Sequence, residues 1–586
     1  MQILIKSVRI YGFRGLQNVE IELEPITVLT GMNNSGKTSF LKALQVALGN
    51  RSFISQDDFF ASDKDSVDEI IIDLKIISVD GDGNQLVTFS ENWEVLFTEE
   101  RIVHESGQEA YLPLRTVVTF DELNNAYKAQ QFILNEWPDF SIKGKHFWYE
   151  SYNGKKRNFR FDEIPFFYMD AQRDIIEDIK NRASYLGKMI SKIKYSPQDI
   201  EDIEDQIKIL NEKAVSSSSV LSNIKTTLKE LGTALDSHSE GVDITPFTKK
   251  IRDLNKGFSI YYTDNKGSFP MEYHGMGTRS WSSLLTLKSF ISILDASYRE
   301  KGEAFFPIIA IEEPEAHLYP NAQKKLYQQI SKIGGQKIIS THSPCIAALA
   351  KLEEVRNFYN NGSGLLCGQI NVEELDSEDK RKIKWKVINS RGEIFFSKAI
   401  VLFEGETEEQ ALPVFADHYF GKTAFEIGVD FVGVGGYGNY LPFIRFAHAL
   451  AIPWCIFSDA EPETVKSVKK QIKSSLSNER ENEVVVFLDD GNNFERQLID
   501  DGYTKEIKDA IKNKELSKCK TKQHAKAKQA EIDSYDNKEL YETISEIKTQ
   551  YGAVIAEEII KSGKQLPPKI EVLFKKIEKM FKGEKG

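Results

Sequence analysis

Gly31 to Thr38 reads GMNNSGKT, which fits the spacing GxxxxGK[ST]. A loop of this kind wraps backbone N–H groups around nucleotide phosphates, and its glycines let the main chain come close. Asn33, Asn34, Ser35 and Gly36 would form the cradle, with Ser39 just behind it. Lys37 would reach the β- and γ-phosphates, and the Thr38 hydroxyl would ligate magnesium. Far downstream, the apolar run Phe306–Ile311 ends in Glu312-Glu313-Pro314-Glu315. A buried strand delivering carboxylates at its C-terminal end is the second half of an ATP site. Glu312 would hold magnesium through water, and Glu313 would orient and deprotonate the attacking water. A further apolar strand, Lys337–Ser340, ends in Thr341-His342-Ser343-Pro344 and puts His342 beside the same phosphates. A core strand entering an acidic loop, and a structural histidine, are the plainer alternatives.

A second acidic group begins after residue 400. Ala399–Phe403 (AIVLF) reads as a strand ending at Glu404-Gly405-Glu406-Thr407-Glu408. A helix starting there would set Glu408 about one turn beyond Glu404, both facing one site. Phe431–Val434 is the next strand, closed by the Gly-rich turn Gly435-Gly436-Tyr437-Gly438-Asn439. Ile456-Phe457-Ser458 then ends at Asp459-Ala460-Glu461. Alternate residues on a strand share a face, so Asp459 and Glu461 would bind together. Carboxylates at neighbouring strand ends make an oxygen-rich site for magnesium or manganese. Two such ions would activate water and stabilise the leaving oxygen in phosphodiester cleavage.

The elements that must hold these residues are legible too. Ile3, Ile5, Val8 and Ile10 alternate like a sheet edge, and Ile26–Thr30 is a buried-strand run entering the phosphate loop. Ser39–Leu48 has helical apolar spacing behind that loop. Residues from about 67 to 170 read as further strands. From Ile175 to about Leu235 the pattern is helical and charged, broken at Ser216–Ser219, either as a hairpin arm or as a solvated helical pair. The Lys-rich stretch Lys505–Lys528 reads as a solvated helix, with a phosphate-contacting face as the alternative.

Composition bounds the reading. A chain of 586 residues accommodates two or three domains. The net charge of −12 excludes a uniformly basic nucleic-acid binder but allows local basic grooves. Cys345, Cys367, Cys455 and Cys519 lack ligand spacing, which predicts a reduced cytoplasmic protein without a zinc site. No apolar run reaches the length of a membrane span, and MQILIKSVRI does not read as a signal peptide.

EEPEAHLYP followed by STHSP resembles the ABC-type ATPases of the SMC and RecF group, and within them the overcoming-lysogenisation-defect (OLD) family. The resemblance implies that Glu313 is the catalytic glutamate, Glu315–Leu318 the D-loop, His342 the switch histidine and Arg14 (in GFRG) an arginine near the nucleotide. The usual LSGGQ signature is missing. Gly275-Met276-Gly277-Thr278-Arg279-Ser280 is its best substitute, so Gly275 and Gly277 would offer N–H groups to a γ-phosphate of the opposite subunit. The segments after residue 400 resemble the Toprim domain of topoisomerases, primases and OLD nucleases, with Asp459-x-Glu461 in place of DxD. The same resemblance suggests Glu495, in VVVFLDDGNNFERQL, as a further acidic ligand. It also calls for a C-terminal lysine, for which Lys548 fits best and Lys561 second.

The implied architecture is α/β. An ABC/SMC-like ATPase domain (1–385, helical insertion about 175–260) precedes a Toprim domain (386–586, Lys-rich segment about 505–530). The implied function is an ATP-regulated, metal-dependent DNA endonuclease of bacterial anti-phage defence, using ATP and Mg2+, or Mn2+ at the Toprim site. A homodimer or higher oligomer through the ATPase domain is implied. The resemblance also allows a UvrD-like helicase or a retron reverse transcriptase with its DNA as partner. The alternative is a RecF-like DNA-binding ATPase whose Toprim domain is structural. A topoisomerase or primase lacks support, for want of a strand-passing tyrosine domain or a zinc module.

Overall fold

The computed structural model describes residues 2–581 except 50–53, 62–65, 82, 106–108, 141–146, 151–153, 158–160, 192–195, 230–245, 247–258, 265–266, 361–364, 476–480 and 547. In chain order the strands begin β1 (Gln2–Phe13), β2 (Leu16–Glu22), β3 (Ile26–Gly31), β4 (Glu69–Val79), β5 (Tyr111–Asp121) and β6 (Ala126–Leu134). They continue β7 (Gly154–Arg157), β8 (Phe166–Met169), β9 (Tyr261–Asp264), β10 (Gly267–Pro270), β11 (Ile308–Glu312) and β12 (Gln336–Ser340). The last six are β13 (Val355–Asn360), β14 (Leu365–Gln369), β15 (Ala399–Phe403), β16 (Val429–Gly433), β17 (Trp454–Ser458) and β18 (Val485–Phe487).

An antiparallel sheet of order β2-β1-β4-β5-β6-β7 lies against a second sheet of order β14-β13-β3-β12-β11-β8. β1 is therefore internal and β2 is the edge, which corrects the reading of the opening residues. In the second sheet β8, β11, β12, β3 and β13 run parallel. Glu312 stands opposite Ser340, and Ser340 opposite Leu29, so the Walker-type carboxylates, His342 and the phosphate loop leave the sheet at one edge.

The period of two along β11 explains why it is buried on both faces. Ile308 and Ala310 join the core that holds Phe40, Leu41 and Leu44 of the helix Lys37–Ala47, between the two sheets. Ile309 and Ile311 face the other way, against Leu284 and Leu287 of the long helix Met276–Lys301. That second core does not stop at the first domain. It continues through Val387 and Phe395 to Ile400, Leu402 and Ile456 of the next sheet.

The third sheet, β16-β15-β17-β18, is parallel throughout. Its other face is closed by the helices Glu406–Phe420, Lys548–Lys561 and Pro568–Phe581 through Leu412, Ile555 and Phe574. The helix Glu91–Phe97 interrupts the run read as strands from 67 to 170. Two helices, Pro197–Ser216 and Ser219–Lys229, break at the serine cluster as expected, and the later part of that insertion lies outside the described residues. Among the described residues no helix is long and apolar enough to cross a membrane.

Gly368 of β14 touches the second domain directly. A Cβ there would lie 2.3 Å from the Leu450 carbonyl carbon, beside the bond from Asn357 Nδ2 to the Leu450 oxygen at 2.9 Å. Gly368→Ala is expected to cost about 1–3 kcal/mol through overpacking, read as a lower urea midpoint.

Candidate functional site

Gly31 closes β3 with φ +123°, and a Cβ there would lie 2.2 Å from the Phe358 carbonyl oxygen, so only glycine fits. Asn34 is left-handed at φ 60° and Gly36 at φ 96°, which turns the chain into the helix that Lys37 begins. Lys37 Nζ donates to the carbonyl oxygens of Gly31 and Met32, each at 2.7 Å. Burial lowers its pKa to about 8, opposed by Glu313, Glu315 and Glu312, so all three carboxylates act on this one ammonium. Thr38 is exposed on the next position, with Ser39 partly covered behind it.

Glu312 is buried and accepts from the Tyr168 hydroxyl, while its Oε1 has no hydrogen-bond partner among the described residues. An oxygen left open in this way fits a hydrated magnesium ion. Glu313 sits at φ 42°, its N–H donating to the Ser340 carbonyl at 2.9 Å, and its Oε1 is 3.9 Å from His342 Nε2. Burial, then Lys37, pull the His342 pKa down to about 4. The imidazole is therefore neutral at pH 7, and its approach to Glu313 is not an ion pair. Between about pH 6.5 and pH 4 the unfolded chain binds a proton here that the folded chain refuses. Stability contributed by His342 therefore falls as pH falls through that window. His342→Gln is expected to show a smaller drop in urea midpoint from pH 7 to pH 4.5 than wild type.

The loop behind these carboxylates is held by a residue without a motif. Arg173 is buried and donates to the carbonyl oxygens of Glu312 (3.0 Å), Pro314 (2.9 Å) and Asp170 (3.1 Å). Glu315 accepts from the Thr341 hydroxyl (2.8 Å) and the His342 N–H (2.7 Å), and burial raises its pKa. Arg14 is paired with buried Asp58 at 2.9 Å and lies within electrostatic reach of Tyr168. Gly275 is the exposed N-cap of the helix Met276–Lys301. Gly277 is buried: a Cβ there would lie 2.5 Å from the His317 carbonyl oxygen, so in this conformation it packs against the Glu315–Leu318 loop of its own chain. Arg279 ties the same helix end to Asp174.

In the third sheet β15 is followed spatially by β16 on one side and β17 on the other. That is a topological switch point, where ligands bind at the carboxyl ends of the strands. Glu404 leaves β15 there and Asp459 leaves β17. Glu404 accepts from Ser458 Oγ (2.8 Å) and from the Tyr440 hydroxyl (3.4 Å). Tyr440 is fully buried, and its phenol is pushed far up by burial and by Glu404, with Glu408 and Asp459 adding to it. Three carboxylates thus act on one buried atom.

Glu408 is buried on the helix Glu406–Phe420, folded back so that a Cβ on Gly405 would lie 2.6 Å from its Oε2. The helix begins at Glu406, so Glu404 and Glu408 are joined by a strand end and a cap and not by a helical turn. Asp459 and Glu461 also differ from the strand-alternation reading, because β17 stops at Ser458. Glu461 is exposed as the N-cap of the helix Pro462–Lys473. Glu495 is buried and accepts from Thr407 Oγ1 at 2.6 Å, next to Glu408. Ala460 exchanges backbone bonds with Gly491 and Asn492, which brings the Glu495 loop to the same edge. Lys548 is the first residue of the helix Lys548–Lys561, and its side chain lies outside the described residues. Gly552, one turn on, packs against Thr407, while Lys561 pairs with Glu558 at 2.8 Å. The Lys505–Lys528 stretch forms parts of two helices, and Lys512, Lys518 and Lys528 are paired to nearby acids.

Among the described residues, no group of three or more His, Cys, Asp or Glu side chains is arranged to hold a metal ion as it stands. The donor chemistry at the Toprim-like edge is all carboxylate oxygen, which fits Mg2+ or Mn2+ and no soft metal.

A family model described as AAA ATPase domain matches residues 4–347, well over half of the chain. The chain belongs to that family. In this AAA ATPase a second model, "Overcoming lysogenization defect protein-like, TOPRIM domain", matches residues 395–460, which include Glu404, Glu408 and Asp459. The AAA ATPase is 22% identical to "Uncharacterized protein YbjD" of Escherichia coli K12, over 82% of this chain and 83% of that protein. It is 23% identical to the "OLD nuclease" of Thermus scotoductus, over 78% and 82%. It is 24% identical to the "Endonuclease GajA" of Bacillus cereus VD045, over 79% and 76%.

Proposed function

We propose that this protein is an ATP-regulated, divalent-metal-dependent endonuclease that hydrolyses DNA phosphodiester bonds, acting in bacterial defence against phage. The observation that carries the reading is the placement of Glu404 and Asp459 at the carboxyl ends of β15 and β17, the switch point of a parallel sheet, with Glu408 buried on the helix that follows β15. The nuclease names of its relatives support it. Glu404, Glu408 and Asp459 would hold Mg2+ or Mn2+, with Glu461 and Glu495 alongside. When bound, such an ion supplies Lewis-acid stabilisation of the phosphodiester oxygens. Ser458 and Tyr440 orient Glu404, Thr407 orients Glu495, and Lys548 would offset the charge that develops on the phosphate.

At the other site Lys37 binds the β- and γ-phosphates, Glu313 takes a proton from the attacking water, and neutral His342 offers a hydrogen bond to the γ-phosphate. Arg14 and Gly275 would complete the nucleotide site, the latter from a second subunit of a homodimer. A UvrD-like helicase or a retron reverse transcriptase with its DNA is the kind of partner such a regulator would serve.

The second reading is a RecF-like DNA-binding ATPase with a silent Toprim domain, favoured by Glu461, which stands exposed on a helix cap and not on the strand with Asp459. Incubation of supercoiled plasmid with Mg2+ or Mn2+, with and without ATP, separates the two. Nicked or linear product supports the endonuclease. Intact plasmid under every condition supports the binding ATPase.

A further inference from the structure

The Gly435–Asn439 turn leaves β16 beside the active edge, with the Val434 N–H donating to the Phe403 carbonyl at 2.8 Å, one residue before Glu404. Two anchors fix it. Gln471 Nε2 donates to the Tyr437 carbonyl at 2.7 Å, and Lys386 Nζ donates to Asn439 Oδ1 at 2.7 Å. The backbone of this turn is held, yet its outer face is bare. A Cβ on Gly435, Gly436 or Gly438 would meet nothing within 4 Å. The Tyr437 side chain is 43% exposed. Next to the Lys386 anchor, Trp385 is 68% exposed on a short π-helix (Ile383–Ile388), a geometry that recurs at functional sites.

Charge accompanies the two rings. Arg381 is exposed four residues before Trp385. Lys466 and Lys470 are exposed one turn apart on the helix that Glu461 caps, the same helix that carries the Gln471 holding Tyr437. A large indole costs free energy in water, and two exposed rings on segments joined by the Lys386–Asn439 bond, with exposed cations on the same and adjoining helices, suit a polyanion with flat, unpaired faces.

Resting on the nuclease reading, we propose that this edge holds an unpaired DNA strand, its bases stacked on Tyr437 and Trp385 and its phosphates met by Lys466, Lys470 and Arg381. The strand runs past the Gly-rich turn and presents its phosphodiester to the Glu404 and Asp459 edge. Duplex DNA, whose bases are already stacked, gains nothing from the two rings.

The test is fluorescence anisotropy of the full chain with a labelled oligonucleotide, as single strand and as duplex, in a chelator that prevents cleavage. Trp385→Ala and Tyr437→Ala are each expected to weaken single-strand binding about 5- to 150-fold and duplex binding far less, with Trp385→Phe largely restoring it. Lys466→Gln with Lys470→Gln is expected to reduce the salt dependence of single-strand binding by about 1.4 in log–log slope. Single-strand affinity unchanged in both alanine variants overturns the proposal, as does an equal loss for duplex. Ring-dependent strand binding by a wild type that cleaves nothing with Mg2+ or Mn2+ overturns only the nuclease reading.

Discussion

Asp459→Ala is expected to slow plasmid cleavage by more than about 100-fold while ATP hydrolysis continues at the wild-type rate. The size follows from position. Groups that merely orient a metal ligand cost about 10- to 100-fold when removed, and Asp459 is proposed as a ligand itself. Ser458→Ala supplies the graded comparison, because its hydroxyl donates to Glu404 at 2.8 Å and also meets the Asp459 carbonyl at 3.2 Å and the Tyr440 phenol. It should fall in that 10- to 100-fold range. The two halves are read apart because the carboxylates acting on Lys37 are Glu312, Glu313 and Glu315, none of them in the third sheet. Cleavage rates on supercoiled plasmid and phosphate release, measured on the same preparation, check both halves. Equal cleavage by Asp459→Ala and wild type would remove the Toprim-like edge from the chemistry.

The second large effect is at Glu313. Glu313→Gln is expected to lower ATP hydrolysis by about 100- to 10,000-fold, the usual contribution of a positioned general base, while ATP still raises the melting temperature through binding. Lys37→Ala should instead abolish that ATP-dependent rise. Glu313→Gly makes a sharper prediction, since residue 313 lies at φ 42° where only glycine is unstrained. The glycine variant should be as inactive as the glutamine one yet more stable by about 1–3 kcal/mol, read in urea without nucleotide. A glycine variant no more stable than glutamine would mean that the residue 313 backbone stores no strain.

The sequence reading succeeded where chemistry and local pattern coincide. The phosphate loop, the strand running into Glu312, and the strand ends at Glu404 and Asp459 each combine an apolar run with an abrupt polar stop, and every one of those runs is a buried strand. It failed by two or three residues at the ends of elements. A helix placed at Glu404 starts at Glu406, and a strand extended to Glu461 stops at Ser458. These shifts reverse the geometric argument without moving the residues from the site. The supporting residues were beyond its reach. Arg173 meets the Glu312 carbonyl across 139 positions, and Tyr440 meets Glu404 across 36. Nothing in the sequence around Arg173 or Tyr440 marks such a partner, because long-range contacts leave no local periodicity. Thr407 and Ser458 carried a weak signal, each lying next to a carboxylate already singled out.

A continuous hydrophobic core passes from Ile309 and Ile311 through Phe395 to Leu402 and Ile456, so the ATPase and Toprim sheets share buried side chains. Opening fluctuations at the far edge must therefore loosen side chains that also back the phosphate loop. A nucleotide that suppresses those fluctuations at one end suppresses them at the other, with no atom changing its mean position. On the proposed nuclease reading, control of cleavage would then be a matter of how often the Glu404 edge breathes, and its record would be slower amide exchange along β15 and β17 in the nucleotide-bound state.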